Sequence, residues 1–344
     1  LDPQEHLIIF SMHHIISDGW SMRILIRELS ELYQAFLSGV TNPLPPLPIQ
    51  YADYAVWQRE WLQGERLERQ KAYWKSQLAD SPISLELPTD RPRPAVLSSR
   101  GAHLTFEIPP RFAKTLRNYA QKEDVTLFMF LLTAFQVLLY RYSGQADINV
   151  GTPIANRTRD EIADLIGFFV NTLVIRGDLF GNPSFRQFLK KIKEVLLEAY
   201  ANQDLPFEML VDMMQPVRDM SHSPLFQVMF ALDNMTTKQI ELPNLSLIPV
   251  DAESGTTKFD LTMTIHDGLE TLYGSVEYNT DLFDPLTIER FVDHYQVLLS
   301  DIITNPRVGL DDLQILSAEE RNEILLEWNE TEEPLPNNSC IHQV

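Results

Sequence analysis

The feature that most restricts the fold of this chain is an apolar helix near its middle. Residues 126–142 have helical spacing, and the run Leu-Phe-Met-Phe-Leu-Leu at residues 127–132 makes this helix apolar nearly all round. A helix without a polar face must be buried between other elements. Residues 104–108 before it and 148–154 after it have the character of strands. This alternation predicts a layered α/β sandwich.

Further elements are predicted on both sides of this helix. Residues 259–265 alternate between apolar and polar side chains, and residues 271–278 are expected to pair with them across Asp267-Gly268, a hairpin turn signal. A helix over residues 285–304 closes the domain. Further predicted helices are at about residues 51–62, 67–78, 111–123 and 184–200, with a short one starting near Pro206, and further predicted strands are at residues 173–175 and 226–230.

Two proline-rich segments divide these elements. Residues 42–48 contain four prolines in seven residues, so they cannot form a regular helix and are predicted to be a stiff connector. Residues 88–94 are a second proline-punctuated linker and the predicted boundary between two lobes. The chain opens on Leu1, without an initiating Met or a signal-like apolar segment, so we expect a fragment of a longer polypeptide.

The composition indicates a soluble enzyme, since 44% hydrophobic residues in a chain of 344 support a sizeable core. The net charge of -20, from 28 basic and 48 acidic residues, argues against nucleic acid or an anionic membrane as a partner. No apolar run reaches the ~20 residues that a membrane helix needs. The single cysteine, Cys340, excludes an internal disulfide. This favours a reducing compartment, and we expect a cytoplasmic protein.

A pair of histidines, His13 and His14, lies between a predicted strand and a predicted helix. The apolar run at residues 7–10 is typical of a buried strand, and residues 22–36 carry apolar side chains at helical spacing. Histidine takes and returns a proton near neutral pH, so an imidazole at the end of a strand is a candidate general base. Adjacent side chains on extended backbone point to opposite faces, so one histidine is expected to face a cavity while the other is packed.

Asp18 and Gly19 turn the chain after the histidines. The Asp18 carboxylate is expected to accept hydrogen bonds from free backbone N–H groups at the start of the helix. An alternative role for Asp18 is a buried ion pair with a distant arginine that holds the loop in shape. Gly19 is expected to tolerate backbone dihedral angles that other residues do not adopt.

Two other interpretations of the histidine pair compete with catalysis. Such a pair is often only packed or exposed. Zinc is a second possibility, because histidine and aspartate are zinc ligands. However, vicinal histidines rarely bind one metal together, the chain has no His-Glu-x-x-His pattern, and Cys340 lies in the tail. We therefore expect no metal site.

The segment His-His-Ile-Ile-Ser-Asp-Gly at residues 13–19 resembles the His-His-x-x-x-Asp-Gly motif of condensation domains from nonribosomal peptide synthetases. Later segments resemble further motifs of that family in the same order, at residues 51–57, 166–172, 202–208 and 218–226. His222 and Ser223 depart from the commonest form of the last motif, in which Arg and Asn are usual. The resemblance covers nearly the whole chain, but the two earliest motifs of the family are absent.

The resemblance implies a fold and a division of the chain. The fold would be a two-lobed, chloramphenicol-acetyltransferase-like α/β sandwich with a tunnel between the lobes and an incomplete N-terminal lobe. Residues 1–90 would be the remainder of the N-terminal lobe, and residues 91–310 the C-terminal lobe. Residues 311–344 resemble the junction into an adenylation domain, with Trp328, Pro334, Pro336 and Cys340 among the residues that carry this likeness. An adjacent adenylation domain is therefore expected in the same chain.

The resemblance also implies an acyltransferase. Upstream and downstream peptidyl carrier proteins would present an acyl or peptidyl thioester donor and an aminoacyl acceptor. Both substrates would be carried on phosphopantetheine, and the domain itself would bind no cofactor. His14 would position the attacking amine, and whether it also acts as a base stays open. His13 and Asp18 would hold the loop, and Gly19 would let the backbone come close to the substrate.

Three further site residues are predicted. By the same resemblance Arg157 would pair with Asp18 between the lobes and brace the His14 loop, with nearby Arg159 as a competitor for that role. Asn171 is a candidate substrate-binding residue because its amide can donate to a carbonyl or to the pantetheine arm, although it can equally cap its own loop. Trp20 is a second candidate for substrate binding.

Three rival functions are considered. An epimerisation domain shares the histidine motif, but the Asp-Gly-Trp-Ser continuation at residues 18–21 and the adenylation-like tail favour condensation. A cyclisation domain would carry aspartates in place of His13 and His14. A catalytically silent docking module is the third, and it would have no need to keep both His14 and Asp18.

Overall fold

A six-stranded mixed sheet forms the centre of the protein. The structure is a computed structural model that describes residues 5–215, 220–233, 240–248, 250 and 255–331. Its strands are β1 Gly101–Ile108, β2 Asp147–Ile154, β3 Asn171–Asp178, β4 Val228–Asp233, β5 Ile240–Leu242, β6 Leu245–Leu247, β7 Leu261–Asp267 and β8 Leu272–Asn279. The order in the large sheet is β1-β8-β7-β4-β2-β3, and β5 pairs with β6 separately. β4 runs parallel to β2 and β7, whereas the other neighbouring strands are antiparallel.

The helical layer is built around α5, the apolar helix predicted from the sequence. The helices are α1 Gly19–Leu37, α2 Tyr51–Trp61, α3 Gly64–Gln77, α4 Pro110–Lys122, α5 Leu127–Ser143, α6 Phe185–Ala201, α7 Phe207–Met214, α8 Pro285–Thr304 and α9 Ala318–Leu325. All side chains of α5 from Met129 to Leu139 are buried. α5 contacts β2 and β4 and lies against α4, α6 and α8. The prediction of a buried helix at the centre of a layered α/β fold is confirmed.

The ends of α5 follow from its flanking residues. The Thr126 hydroxyl accepts a hydrogen bond from Met129 N at 3.1 Å, which satisfies a backbone donor that the first turn leaves free. At the other end Gly144 adopts a left-handed conformation with φ of 70°, where glycine carries no Cβ penalty.

The predicted hairpin of β7 and β8 is confirmed. Leu261 pairs with Tyr278 and Asp267 with Leu272, so the chain turns at Gly268 as expected. Leu261, Met263 and Ile265 are buried and alternate with half-exposed side chains. This period of two is the pattern from which the strand was predicted.

The prediction of a buried strand at residues 7–10 is wrong. These residues are described without strand structure, and their side chains are exposed by between 49% and 77%. A strand needs a neighbouring strand to accept and donate its backbone hydrogen bonds. Among residues 5–90 the structure describes helices and turns but no extended strand, so in the described part of the chain only residues after 90 contribute to the large sheet.

The segment at residues 88–94 is held against the domain that follows it. Arg93 pairs with the buried carboxylate of Asp260, and Asp90 N donates to Leu282 O at 2.9 Å. Trp74 and Leu78, which precede this segment, belong to the same hydrophobic core as the sheet. Packing is therefore continuous across the predicted boundary, and the division at residue 90 stays a prediction.

The residues after α8 are also anchored to the domain. Arg141 donates to the carbonyl oxygens of Leu310 and Leu313 at 3.2 and 2.6 Å. His294, mostly buried on α8, contacts Glu320 of α9 through Nε2 at 3.0 Å. Residues 332–344, which include Pro334, Pro336 and Cys340 of the adenylation-like tail, lie outside the described residues, so the assignment of residues 311–344 stays a prediction.

In the described part of the chain no single helix is both long and apolar enough to cross a membrane. The pair α4 and α5 meets that requirement together by length and composition, but the two helices are bent by 102° relative to each other.

Candidate active site

The two histidines lie on an exposed turn. Residues His14–Ile16 form one 3₁₀ turn, and His13 Nδ1 accepts a hydrogen bond from Ile15 N at 3.1 Å at the start of that turn. The prediction that one histidine faces a cavity while the other is packed is wrong, because both residues are exposed. The prediction assumed extended backbone through both residues, but the turn that starts at His14 ends the alternation of side chains.

The imidazole of His14 is fixed by a hydrogen bond at one ring nitrogen. His14 Nδ1 lies 2.6 Å from Ser17 O, and a carbonyl oxygen can only accept, so Nδ1 carries the proton and donates it. In the neutral ring Nε2 then has the free lone pair. The ring also contacts Phe168 edge to face, with the ring centroids 5.2 Å apart and the planes at 86°. The arrangement provides an exposed imidazole whose Nε2 can accept a proton.

Asp18 fulfils both of the roles that the sequence left open. Its Oδ1 accepts a hydrogen bond from Ser21 N at 2.8 Å at the start of α1. The same oxygen lies 3.3 Å from Nη2 of Arg157, and the two side chains are only 3% and 1% exposed. The ion pair predicted between Asp18 and Arg157 is therefore present. It joins the motif at residues 13–19 to the segment after β2.

Arg157 makes further contacts that hold it in this position. Its Nη1 donates to the carbonyl oxygens of Ile162 and Leu165 at 2.6 and 2.8 Å. Its guanidinium lies 4.0 Å from the centre of the Phe169 ring. Arg159, the competitor considered from the sequence, instead lies over the ring of Trp57 at 4.5 Å.

The second carboxylate oxygen of Asp18 binds the loop that precedes β3. Oδ2 accepts hydrogen bonds from Phe169 N at 2.9 Å and from Val170 N at 3.3 Å. Burial alone raises the pKa of Asp18, but the hydrogen bonds from Phe169 and Ser21 and the charge of Arg157 outweigh it, so the pKa lies below its ordinary value of 3.8. The stabilisation from this ionised carboxylate is complete above the ordinary value and is lost only as pH falls through the lowered pKa.

Ser21 is part of this network and was missed in the sequence analysis. Its hydroxyl accepts from Gly167 N at 3.0 Å and from Arg157 at 2.9 Å. Its single proton has two acceptors in reach, Asp18 Oδ1 and Gly167 O, both at 2.8 Å. A serine three residues after a capping aspartate is a signal for a local contact. Its distant partners Arg157 and Gly167, 136 and 146 positions away, are not indicated by any local sequence pattern.

The arrangement around Asn171 contradicts its predicted role in substrate binding. Its Nδ2 donates to Gln203 O and Leu205 O, both at 2.9 Å. Its Oδ1 accepts from Thr172 N at 2.9 Å and from Phe207 N at 3.0 Å. These four bonds use both donors and both lone pairs of the amide. Asn171 therefore links β3 to the start of α7, a structural role that differs from the cap of its own loop considered from the sequence.

Trp20 is half-buried and makes a structural contact through its indole. Its Nε1 donates to Ala163 O at 2.9 Å, so this N–H is already used within the protein. The guanidinium of Arg23 lies 4.3 Å from the centre of its ring. A role of the Trp20 ring in substrate binding stays a prediction.

Gly19 differs from its prediction in one respect. It is the first residue of α1 and does not adopt a positive φ, so no unusual backbone conformation requires glycine here. A Cβ at this position would meet no heavy atom within 4 Å. The space beside the exposed backbone of Gly19 is therefore open, and the approach of a substrate to this backbone stays a prediction.

Gly19→Ala tests whether that space serves the substrate. Because the added methyl group meets no protein atom, we expect the free energy of unfolding to change by less than ~0.5 kcal/mol. We expect kcat/KM to fall by about tenfold or more if the substrate backbone passes there. Chemical unfolding and turnover of the same preparation measure both quantities. Wild-type turnover in this variant would contradict a role for the open space.

The other motif segments have structural roles. Tyr54, with the buried side chains Ile162, Leu165 and Phe169, forms a small second core, so the segment at residues 51–57 serves packing. In the segment at residues 202–208, the carboxylate of Asp204 accepts from Gln70 at 2.7 Å. Arg218 and Asp219 of the last motif lie outside the described residues.

Among the described residues no group of three or more His, Cys, Asp or Glu side chains is arranged to hold a metal ion. Cys340, considered with zinc in the sequence analysis, lies outside them.

Comparison with known proteins matches the chain to the family described as the condensation domain, over residues 1–325. The chain is 48% identical over 342 residues to a linear gramicidin synthase of Brevibacillus parabrevis, covering 99% of this chain and 4% of that protein. It is 44% identical over 342 residues to malpibaldin synthetase of Mortierella alpina, covering 99% of this chain and 6% of that protein. The chain thus spans less than a tenth of the length of these curated relatives.

Solved structures have a similar fold. A four-domain nonribosomal peptide synthetase bound to AMP and glycine is 25% identical, with a TM-score of 0.81 over 90% of this chain and 24% of that chain. The X-domain from teicoplanin biosynthesis, solved in complex with OxyB, is 26% identical, with a TM-score of 0.78 over 89% of this chain and 69% of that chain. These similarities confirm the predicted chloramphenicol-acetyltransferase-like α/β fold.

Proposed function

The chain belongs to the condensation-domain family of nonribosomal peptide synthetases, and on that premise we propose that it forms an amide bond between two carrier-bound substrates. The donor is an acyl or peptidyl thioester, and the acceptor is an aminoacyl thioester. The acceptor amine attacks the donor carbonyl carbon, the new C–N bond forms, and the C–S bond breaks. The amine loses one proton, and the departing thiolate takes up one.

The observation that carries this proposal is the state of the His14 imidazole. The ring is exposed, and its Nδ1 is committed to Ser17 O at 2.6 Å. Nε2 is therefore available to accept the amine proton or to orient the amine by a hydrogen bond. A thioester is already activated, so much of the rate enhancement can come from holding the amine and the carbonyl carbon in line. In favourable cases such positioning lowers the activation barrier by up to ~7–11 kcal/mol.

The buried pair of Asp18 and Arg157 supports a catalytic function of the turn. Neither side chain is accessible, so neither is a reacting group. Their contacts fix the chain on the C-terminal side of the histidine turn and the loop of residues 167–170 against each other. Such fixed support is what a site needs when its rate depends on the position of one side chain.

We assign upstream and downstream peptidyl carrier proteins as partners, together with an adenylation domain in the same chain. The relatives are parts of large synthetases, and one solved relative has four domains, which agrees with this assignment. The substrates would arrive on phosphopantetheine arms, and no cofactor of the domain itself is needed for the steps described above.

Two alternatives remain within this family. Epimerisation of a carrier-bound residue would use the same histidine motif as a base. A docking module without chemistry is favoured by one observation, the similarity to an X-domain that was solved in complex with OxyB.

The experiment that tests the proposal uses the full-length protein that carries this chain, with a donor acyl group and an acceptor amino acid loaded on the two carriers. Mass spectrometry follows the acceptor arm in deuterated solvent. We expect the acceptor to gain the mass of the donor. Deuterium exchange at the α-carbon without that gain would show epimerisation instead. If competent carriers show neither change, the docking alternative replaces our proposal.

A further inference from the structure

Phe168 lies between the buried ion pair of Asp18 and Arg157 and the exposed side chain of His14. Its half-buried ring contacts the His14 ring edge to face at a centroid distance of 5.2 Å. The Ser17 contact of His14 comes from within the same turn, whereas Phe168 is 154 positions further along the chain. An aromatic edge-to-face contact has a preferred geometry, so it favours one orientation of the ring.

The backbone on both sides of Phe168 is held firmly. Phe168 O accepts a hydrogen bond from the hydroxyl of Tyr51 at 2.8 Å. The next amide, Phe169 N, donates to Asp18, and the preceding residue, Gly167, bonds to Ser21 through both its N–H and its carbonyl oxygen. Fixed backbone at residues 167–169 means that the direction in which the Phe168 side chain leaves the loop is fixed as well.

Gly167 allows this loop to lie so close to α2. A Cβ at residue 167 would be 2.2 Å from the ring of Tyr51, which no side chain could accept without a shift. The loop therefore lies between α2 and the start of α1. In the described part of the chain, Phe168 is the side chain of this loop whose ring contacts His14.

We propose that Phe168 is a positioning residue that holds the His14 imidazole with Nδ1 on Ser17 O and Nε2 directed to the substrate. This inference rests on the proposed function. Asp18 and Arg157 hold the loop, and Phe168 transmits its position to the ring. Phe168 does not itself touch the reacting atoms.

Kinetics of Phe168→Leu and Phe168→Tyr test the proposal in the full-length protein that carries this chain. Leucine fills similar space but lacks the aromatic edge, so we expect kcat to fall by about 10- to 100-fold while KM for either loaded carrier is unchanged. Tyrosine keeps the same ring, so we expect kcat within about threefold of wild type.

Trp57→Leu is the matched control, since Trp57 packs on the small second core that contains Phe169 and makes no ring contact with His14. It is expected to lower stability without lowering kcat.

A second measurement does not depend on turnover. In the full chain labelled with ring-¹⁵N histidine, and with His14→Gln used to assign the signal, the nitrogen shifts report which ring nitrogen carries the proton. We expect the Nδ1-protonated form to dominate in wild type and Phe168→Tyr, and a mixture of both forms in Phe168→Leu.

Two results would overturn the proposal. One is a Phe168→Leu variant with wild-type kcat, and the other is a His14 signal that is identical in wild type and Phe168→Leu. If the wild-type protein forms no amide, the proposed function fails, but the nitrogen shifts still decide whether Phe168 orients the ring.

Discussion

Replacing Arg157 by methionine is expected to lower the free energy of unfolding by ~3–5 kcal/mol, because it leaves the buried Asp18 carboxylate without its counter-ion. The carbonyl oxygens of Ile162 and Leu165 lose their donor in the same variant. Urea unfolding measures the effect as a lower midpoint with an unchanged slope. Charge reversal by Arg157→Glu would bury two carboxylates side by side, and we expect that variant not to fold.

The chain offers a matched control two residues away. Arg159 is exposed and lies over Trp57, so Arg159→Met is expected to change the free energy of unfolding by less than ~0.5 kcal/mol. An Arg157→Met variant as stable as Arg159→Met would show that the buried pair contributes nothing to the fold.

Replacing His14 by alanine is expected to lower the rate of amide formation by about 10²- to 10⁴-fold, the usual contribution of a positioned acid-base group. The side chain is exposed, so we expect the free energy of unfolding to stay within ~0.5 kcal/mol of wild type. Single-turnover transfer between loaded carriers, followed by mass spectrometry, measures the rate without interference from product release. We expect His14→Ala to form the amide faster than the two loaded carriers do without the domain, since the variant still holds the two substrates together.

His103→Ala provides the comparison for this variant. His103 is exposed on the edge strand β1, outside the network of Asp18 and Arg157. We expect its transfer rate within about twofold of wild type. A His14→Ala variant with the same small effect would exclude His14 as the group that positions or deprotonates the amine.

Much of the secondary structure was predictable because local patterns determine it. The α5 helix is apolar nearly all round and could only be buried, and β7 and β8 follow a period of two with a turn signal between them. The helix at residues 285–304 was predicted with the bounds that the structure has. The prediction of a strand at residues 7–10 rested on an equally clear local pattern but is wrong. A strand forms only beside a neighbouring strand, and the local sequence does not show whether such a strand is present.

In the site, the ion pair of Asp18 and Arg157 was predicted through the family resemblance, since 139 positions separate the two residues. Asn171 was assigned to the substrate because its type allowed it, and the structure shows its four hydrogen bonds already made. Ser21 and Phe168 were not predicted at all. A serine in a first helical turn and an aromatic in a loop have many ordinary uses, and only their distant partners distinguish these two.

The resemblance of residues 13–19 to one family motif was enough to locate the candidate chemistry. Residue type was enough to predict that Asp18 caps the helix that follows it, and side-chain periodicity was enough to predict the central helix and the hairpin. Three features became visible only in the folded chain: the exposed turn of His14, the fact that Asp18 is a helix cap and a buried ion-pair partner at the same time, and the contact of Phe168 with the imidazole. The last two depend on contacts between segments more than 130 positions apart, which form only when burial of the shared core brings the segments together.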